Sequence, residues 1–459
     1  MEKDKILLLF PDGVGIRNYL YSNVFKDMEE DLVLFHNFDP ETVKAIKDNV
    51  VIDDEIAIPA YKESVKEKFL RELICLSRLY YNTEKVKNTS LLTNWNWKQK
   101  TFSKKVFYKL IEIAAPFFNR YATILRLEEK YRKAIRQNVF YDEVKNILKE
   151  VQPKVVFCSH QRALKGATIF AAATDLGIKT ATVIYSWDNL PKARMALRAD
   201  HYLVWSAYMK KELALYYPEI GAEKIHITGT SQFEFYDDEK NSIDKETFYK
   251  SYNLDPAKKI ICFSGDDAKT SPDDPDYLKD IAEELTKANL QGEYQILFRR
   301  CPVDFSGRYE SVVNKYKDLI KEAAPLWYFN TTGEWNTVYP SVDDVKLLVS
   351  TAFYSDIVVN VGSTMAFDFA MFDKPCVFIN YDQQVKKVTD WSVKTIYQFQ
   401  HFKSMPNEEA VVWLNNKAEI VEKLTSQKKC TSHMIEWKDI VLEDYKNASM
   451  KIREIIKAN

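Results

Sequence analysis

SDIVVNVGSTMAFDFAMFDKPCVFINYD, residues 355–382, decides the fold of this 459-residue chain. An apolar, β-branched run (Ile357, Val358, Val359, Val361) reaches Gly362-Ser363-Thr364, continues as an aromatic segment carrying Asp368, and after Lys374-Pro375 becomes a second apolar run, Cys376 to Ile379. That pattern predicts strand, tight turn, helix and strand, a parallel βαβ unit. In such a unit the helix following the first strand opens toward the ligand crevice, with N–H groups and a positive dipole end available to an anion. Gly362 permits close backbone approach, Ser363 and Thr364 add hydroxyls, and Asp368 lies a turn further on, placed to accept from a ribose. The competing reading is a buried βαβ unit in which Ser363 caps its helix.

Working outward, the same rhythm recurs on both sides. VVFCSH (155–160), KTATVIYSWDN (179–189), HYLVWS (201–206) and KIHITG (224–229) read as strands of a first half, and KIICFSGDD (259–267) and QILFRRCP (295–302) as strands of a second. ILLLF (6–10) opens the chain as a buried strand, and DLVLFHNF (31–38) follows as another. The expected fold class is α/β, with two Rossmann-like, doubly wound domains at 1–238 and 239–431 and a terminal helix from 432 to 459. A polar, charged stretch at 237–246 is the expected connection. Residues from about 60 to 137 form a helical insert.

Composition narrows the function. Lys and Arg total 65 against 66 Asp and Glu, a net charge of −1; the chain as a whole offers no field for a polyanion, and nucleic acid is not an expected partner. The six cysteines lack a CxxC pair or zinc-site spacing and read as buried thiols of a reducing compartment. ILLLF is too short for a membrane span or a signal core, so a cytoplasmic location is expected. Residues 98–136 interleave basic side chains (Lys104, Lys105, Lys109, Arg120) with aromatics (Phe102, Phe107, Phe117). Such an insert could lie peripherally on the anionic inner face of the cytoplasmic membrane, or simply present a solvated basic face.

Candidate chemistry sits where strands end. Asp12-Gly13-Val14-Gly15-Ile16-Arg17-Asn18 follows the first strand but lacks the third glycine of a dinucleotide fingerprint. Ser186-Trp187-Asp188-Asn189 places a carboxylate beside a tryptophan, an arrangement for a general base or, equally, an Asx-turn. His160 is another acid–base candidate, ranked below Asp188. Gly265 leads into an acidic loop whose Asp274-Pro-Asp276 is read as solvated carboxylates rather than a metal motif. Arg299 and Arg300 are candidates for holding a phosphate. No metal site is expected.

Three segments resemble the GT-B glycosyltransferases, and among them the bacterial surface-polysaccharide enzymes related to the CDP-glycerol glycerophosphotransferases. STMAFDFAMFDKPCVF (363–378) is similar to that family's donor-binding SSxxFDFxxxxKPxIF, QILFRRCP to its RxHP strand end, and SWDNLPKARMALRADHYLVWSAYMKKEL (186–213) with KIHITGTSQFEFY to its middle segment. Two departures stand out: Asp188 replaces the histidine of WHG, and Cys301 that of RxHP. The resemblance implies a cleft between the two domains, with a nucleotide-sugar donor held by Gly265, Arg299, Arg300, Gly362, Ser363, Thr364 and Asp368. It places the acceptor, a glycan that could be lipid-linked, near Gly13, Arg17, Asn18, Trp187 and Asn189. The implied reaction is metal-independent glycosyl transfer without a cofactor, probing as catalytic groups Asp188, His160 and Asp12, with Asp188 as an inverting base. A polyol-phosphate transferase, a sugar-nucleotide epimerase of related fold and a non-catalytic nucleotide-sugar binder are the alternatives.

Overall fold

The computed structural model describes residues 3–328 and 338–458. The chain divides into two compact units, one of Met1–Ser231 with Val441–Asn459 and the other of Gln232–Ile440.

The first unit is built on a seven-stranded sheet: β1 (Lys5–Leu9), β2 (Asp31–His36), β3 (Asp54–Ala57), β4 (Val155–Cys158), β5 (Lys179–Val183), β6 (His201–Val204) and β7 (Ile225–Ile227), in the order β3-β2-β1-β4-β5-β6-β7. All its pairings are parallel. Leu7, Leu8, Val155, Val156, Phe157 and Ala181 are fully buried, because a doubly wound sheet carries helices on both faces and its central strands cannot alternate apolar with polar. The order reverses between β1 and β4, which makes the ends of those strands the ligand-binding position of this topology.

The second unit repeats the design with β8 (Lys259–Ser264), β9 (Tyr294–Arg299) and β10 (Ile320–Glu322). A small antiparallel pair, β11 (Trp327–Tyr328) and β12 (Tyr339–Pro340), precedes β13 (Ile357–Asn360), β14 (Cys376–Ile379) and β15 (Val412–Leu414). The six-stranded sheet runs β10-β9-β8-β13-β14-β15, again parallel. Its reversal falls between β8 and β13, beside Gly265 and Gly362. Two parallel, doubly wound units in one chain are the GT-B architecture.

The expected insert forms helices Val65–Val86, Phe102–Ala114 and Tyr121–Ile135 within the first unit. Ser64 starts the longest with a capping box: its hydroxyl accepts from the Glu67 amide at 3.2 Å while the Glu67 carboxylate accepts from the Ser64 amide at 2.8 Å, so two otherwise orphaned donors are satisfied. Arg78, in the middle of that helix, is only 1% exposed. It donates to the Tyr216 carbonyl at 2.6 Å and to Glu128 at 2.5 Å, and its guanidinium lies 4.2 Å from the Tyr217 ring centre.

The stretch from Ser432 differs from the single helix expected. It is two helices, Ser432–Leu442 and Ala448–Lys457, because Asp444 takes a left-handed conformation (φ 52°), which an α-helix cannot pass through. The second of them packs within the first unit: Arg453 donates to the Val24 carbonyl at 3.1 Å, and Lys457 lies 3.7 Å from Glu30.

Candidate active site

At the reversal point of the first sheet, Asp12 leaves β1 and His160 leaves β4, so neighbouring parallel strands deliver a carboxylate and an imidazole to one place. Asp12 is fixed first. One carboxylate oxygen, Oδ1, accepts from the Gly15 amide at 3.0 Å. Oδ2 lies 2.7 Å from His160 Nδ1. A carboxylate there places the imidazole proton on Nδ1 and leaves Nε2 of the neutral ring with its lone pair. Tyr185, just past β5, stacks on the imidazole with ring centres 4.2 Å apart and an 18° tilt. Both members of the dyad are buried, and Nε2 of His160 has no hydrogen-bond partner among the described residues. A buried acceptor left open in this way is costly unless something else completes it.

Gly15 is required at its position for a reason the fingerprint reading did not contain: a Cβ there would lie 2.4 Å from Ser159 Oγ. The glycine lets the loop after β1 close onto the strand that carries His160. Asn18 is buried and accepts from Arg17 Nε at 2.9 Å, and Gly13 is buried in the same turn. Burial pushes the Tyr185 phenol well above its ordinary range; the Asp12 carboxylate adds to this and Arg17 opposes it.

Asp188, the sequence's first choice of base, is placed differently. Its Oδ2 forms an ion pair with Lys192, and its Oδ1 accepts from Asn189 Nδ2 at 3.1 Å. Trp187 is buried beside it, and Asn189 also accepts from Arg162 Nη1 at 3.1 Å. Its carboxylate is thus already shared between an ammonium and an amide, whereas His160 presents an open nitrogen.

Glu212, in helix Ala207–Tyr216, is a group that sequence reasoning missed. Burial, with Asp188 adding, raises its carboxyl to about 8. Nothing in its local sequence, KKELALYY, distinguishes it from an ordinary exposed helical glutamate; only tertiary packing buries it.

In the second unit the candidate donor residues flank the β8/β13 reversal, each with its own protein contacts. Gly362 has φ +69°, and a Cβ there would meet Phe402 at 2.9 Å, so both conformation and packing demand glycine. The Ser363 amide donates to Asn360 Oδ1 at 2.8 Å, and its hydroxyl accepts from the Met365 amide at 3.3 Å, a local turn contact and not the N-cap of the helix. The helix that follows, Met365–Ala370, is short, with Thr364 at its N-cap. Asp368 is buried and accepts from the Tyr236 phenol.

Gly265, at the end of β8, sits against Tyr309, whose hydroxyl would lie 2.6 Å from an added Cβ. Arg299 is buried and directs Nη2 to both Asp344 oxygens at 3.0 and 3.1 Å. Asp344 neutralises its charge, while Nη1 is buried without a hydrogen-bond partner among the described residues. Arg300 is less committed: it donates to the Asp304 carbonyl at 2.9 Å and lies 3.7 Å from the half-exposed Glu322.

Asp274 corrects the reading of the acidic loop as solvated carboxylates. It is 1% exposed, accepts from the Asp266 amide at 2.6 Å and from the Tyr309 hydroxyl at 3.1 Å, and burial raises its pKa to about 6. Arg308 ties the same loop together through the carbonyls of Asp266 and Ser271. Cys301 keeps its proton, since burial pushes the thiol to about 12, and it offers no nucleophile at neutral pH.

No protein-family model matches the chain, and no curated protein matches it. Among solved structures it is similar to the UDP-GlcNAc 2-epimerase of Methanocaldococcus jannaschii, with TM-score 0.52 and 11% identity over 99% of each chain. It is also similar to a glycosyltransferase of Rickettsia africae, with TM-score 0.47 and 11% identity over 100% of this chain and 94% of that one. The first likeness establishes the GT-B fold. Identity at this level carries the fold alone.

Proposed function

We propose that the chain is a glycosyltransferase that moves a sugar from a nucleotide-sugar donor to a glycan acceptor, with the Asp12–His160 dyad as its base. The observation that carries this reading is the buried, unpartnered Nε2 of His160 at the reversal point of the first sheet. In the proposed step Nε2 takes the proton of an acceptor hydroxyl as that oxygen attacks the anomeric carbon. The bond from that carbon to the nucleoside diphosphate breaks, and the configuration inverts. Asp12 orients the ring and stabilises the imidazolium that forms. Donor binding is assigned to the second unit, around Gly265, Gly362–Thr364 and Asp368. There Arg300 is better suited than Arg299 to meet the diphosphate, since Asp344 already neutralises Arg299. The reaction is proposed to need no metal.

UDP-GlcNAc is the first donor to test, because the Methanocaldococcus neighbour is described as acting on it. The purified chain, treated with EDTA, is incubated with a panel of nucleotide sugars and CDP-glycerol, with and without oligosaccharide acceptors. Acceptor-dependent release of a nucleoside diphosphate supports the reading. Isomerisation of the donor without acceptor, or turnover of CDP-glycerol alone, overturns it.

The helix Phe102–Ala114 supports work at a membrane surface. One face packs against Val65–Val86 through Phe107, which meets Phe69 at 6.0 Å, and through the buried Ile111. The other face leaves Phe102 (82%), Leu110 (56%) and Ile113 (57%) exposed, at helical spacing and beside the exposed Lys104, Lys105 and Lys109, with the exposed Phe117 in the turn that follows. Among the described residues no helix is long and apolar enough to cross a membrane. An apolar stripe bordered by lysines instead suits insertion into the interface of an anionic leaflet. Replacing Phe102 and Leu110 by aspartate is expected to lower binding to phosphatidylserine-containing vesicles by at least about tenfold. Unchanged sedimentation with those vesicles would remove the membrane from the proposal.

A further inference from the structure

A second concentration of unusual chemistry lies in the first unit, behind the loop that carries His160. A cavity of about 370 Å³, open to solvent on one side, is lined by helices Val65–Val86, Tyr121–Ile135 and Leu164–Asp175 and by the segment 193–198. That volume falls in the range of small-molecule sites. Arg71, Arg132, Arg136, Arg162, Arg194 and Arg198 line it, and Glu128 is the one carboxylate among its lining residues. The rest of the wall is largely apolar, including Ile74, Ile135, Leu164 and Met195.

Arginines packed this closely need counter-charges, and most have them. Arg71 is held by Glu63 and Glu72, Arg136 by Asp175, Arg194 by Glu72, and Arg198 by Glu128 and Glu219. Arg132, which is exposed, and Arg162 have no carboxylate within salt-bridge distance among the described residues, although Glu129 and Asp188 act on them from further away. The hydrogen bond Arg162 makes is to the neutral amide oxygen of Asn189. Counting Arg78, which shares Glu128 and Glu219, the cluster holds two more guanidiniums than carboxylates. Burial and the neighbouring Arg194 lower the pKa of Arg162, and Asp188 only partly opposes them. Tyr131 also lines the cavity, and its hydroxyl is buried without a hydrogen-bond partner among the described residues.

The two excess guanidiniums, an open phenol donor and an apolar wall suit an anion of charge near −2 joined to a hydrocarbon. A carboxylate supplies one charge; a phosphate monoester or diphosphate supplies about two or more and accepts from guanidinium forks in bidentate fashion. We propose that this cavity binds the phosphate or diphosphate of an amphiphilic ester, such as an isoprenyl phosphate, with Arg162 and Arg132 on the anion and the apolar wall against the first part of the chain. Binding stands independently of catalysis. The further role as anchor of a lipid-linked acceptor rests on the transferase reading.

The test is calorimetric titration of the full chain with farnesyl diphosphate, inorganic diphosphate, farnesol and dodecanoate. Farnesyl diphosphate is expected to bind at least about tenfold more tightly than any of the other three. Arg162→Ala and the exposed Arg132→Ala should each weaken it by about tenfold or more, as loss of a charge-assisted contact predicts. Inorganic diphosphate binding as tightly as the farnesyl ester would assign the site to a free anion and overturn the amphiphile. Dodecanoate binding equally well would overturn the phosphate. Farnesyl diphosphate binding that Arg132→Ala and Arg162→Ala leave unchanged, or no binding at all, would overturn the site. UDP binding measured on the same variants separates the proposals: its loss in wild type concerns the donor reading, and its retention alongside lost farnesyl diphosphate binding identifies the cavity.

Discussion

His160→Asn is expected to lower kcat by about 10²- to 10⁴-fold while leaving the affinity for the nucleoside diphosphate within about twofold, the range for removing a positioned general base. The separation follows from placement: His160 leaves β4 in the first unit, and the proposed donor residues belong to the second. Asp12→Asn should fall in the same range, because the amide can keep its contact with the Gly15 amide but no longer supplies the charge that holds Nδ1 protonated and stabilises the imidazolium. Asp188→Asn is expected to cost less, since that carboxylate is already shared by Lys192 and Asn189. Single-turnover rates with donor binding measured in parallel decide the matter. Should Asp188→Asn abolish turnover while His160→Asn retains it, the base is Asp188 and the dyad is structural.

Asp344→Ala carries the largest expected effect on stability. This carboxylate is fully buried, takes Arg299 Nη2 on both oxygens, and also accepts from the Leu326 amide and Trp327 Nε1, each at 2.8 Å. Removing it strands a buried guanidinium and two further donors. Breaking a buried pair by deleting one partner costs on the order of 3–5 kcal/mol, and chemical denaturation should show a loss of that size. The double variant Arg299→Met, Asp344→Leu should recover much of it, because no charge is then left uncompensated.

The sign with pH also follows. Despite burial, which acts to raise it, the Asp344 pKa is held below 3.8 by Arg299 and the donors around it. Its contribution is therefore present above the unfolded carboxylate pKa and is lost as pH falls through the lower folded value. The stability difference between wild type and Asp344→Ala should therefore shrink as pH falls through that value. A single variant with wild-type stability would mean that Arg299 has another anion.

The amino-acid sequence by itself determined the fold class and the central strands of both sheets, but not the edge strands β3, β10 and β15 or the break at Asp444. Runs such as ILLLF, VVFC and IVVN contain no polar alternation, and only a parallel sheet covered on both faces buries strands of that kind. It also placed the candidate residues, Asp12, His160, Asp188, Gly265 and Gly362, at strand ends, since in this architecture polar residues directly after an apolar strand stand at the crevice edge.

What it could not contain was pairing across distance. Asp12 and His160 are 148 positions apart in the chain, and they meet only because β1 and β4 are neighbours at the reversal of strand order. Packing between segments distant in sequence likewise buries Arg299 on Asp344 and raises Glu212. In each case the residue type was legible locally, but its charge environment is set by side chains that only the packed structure brings within a few ångströms.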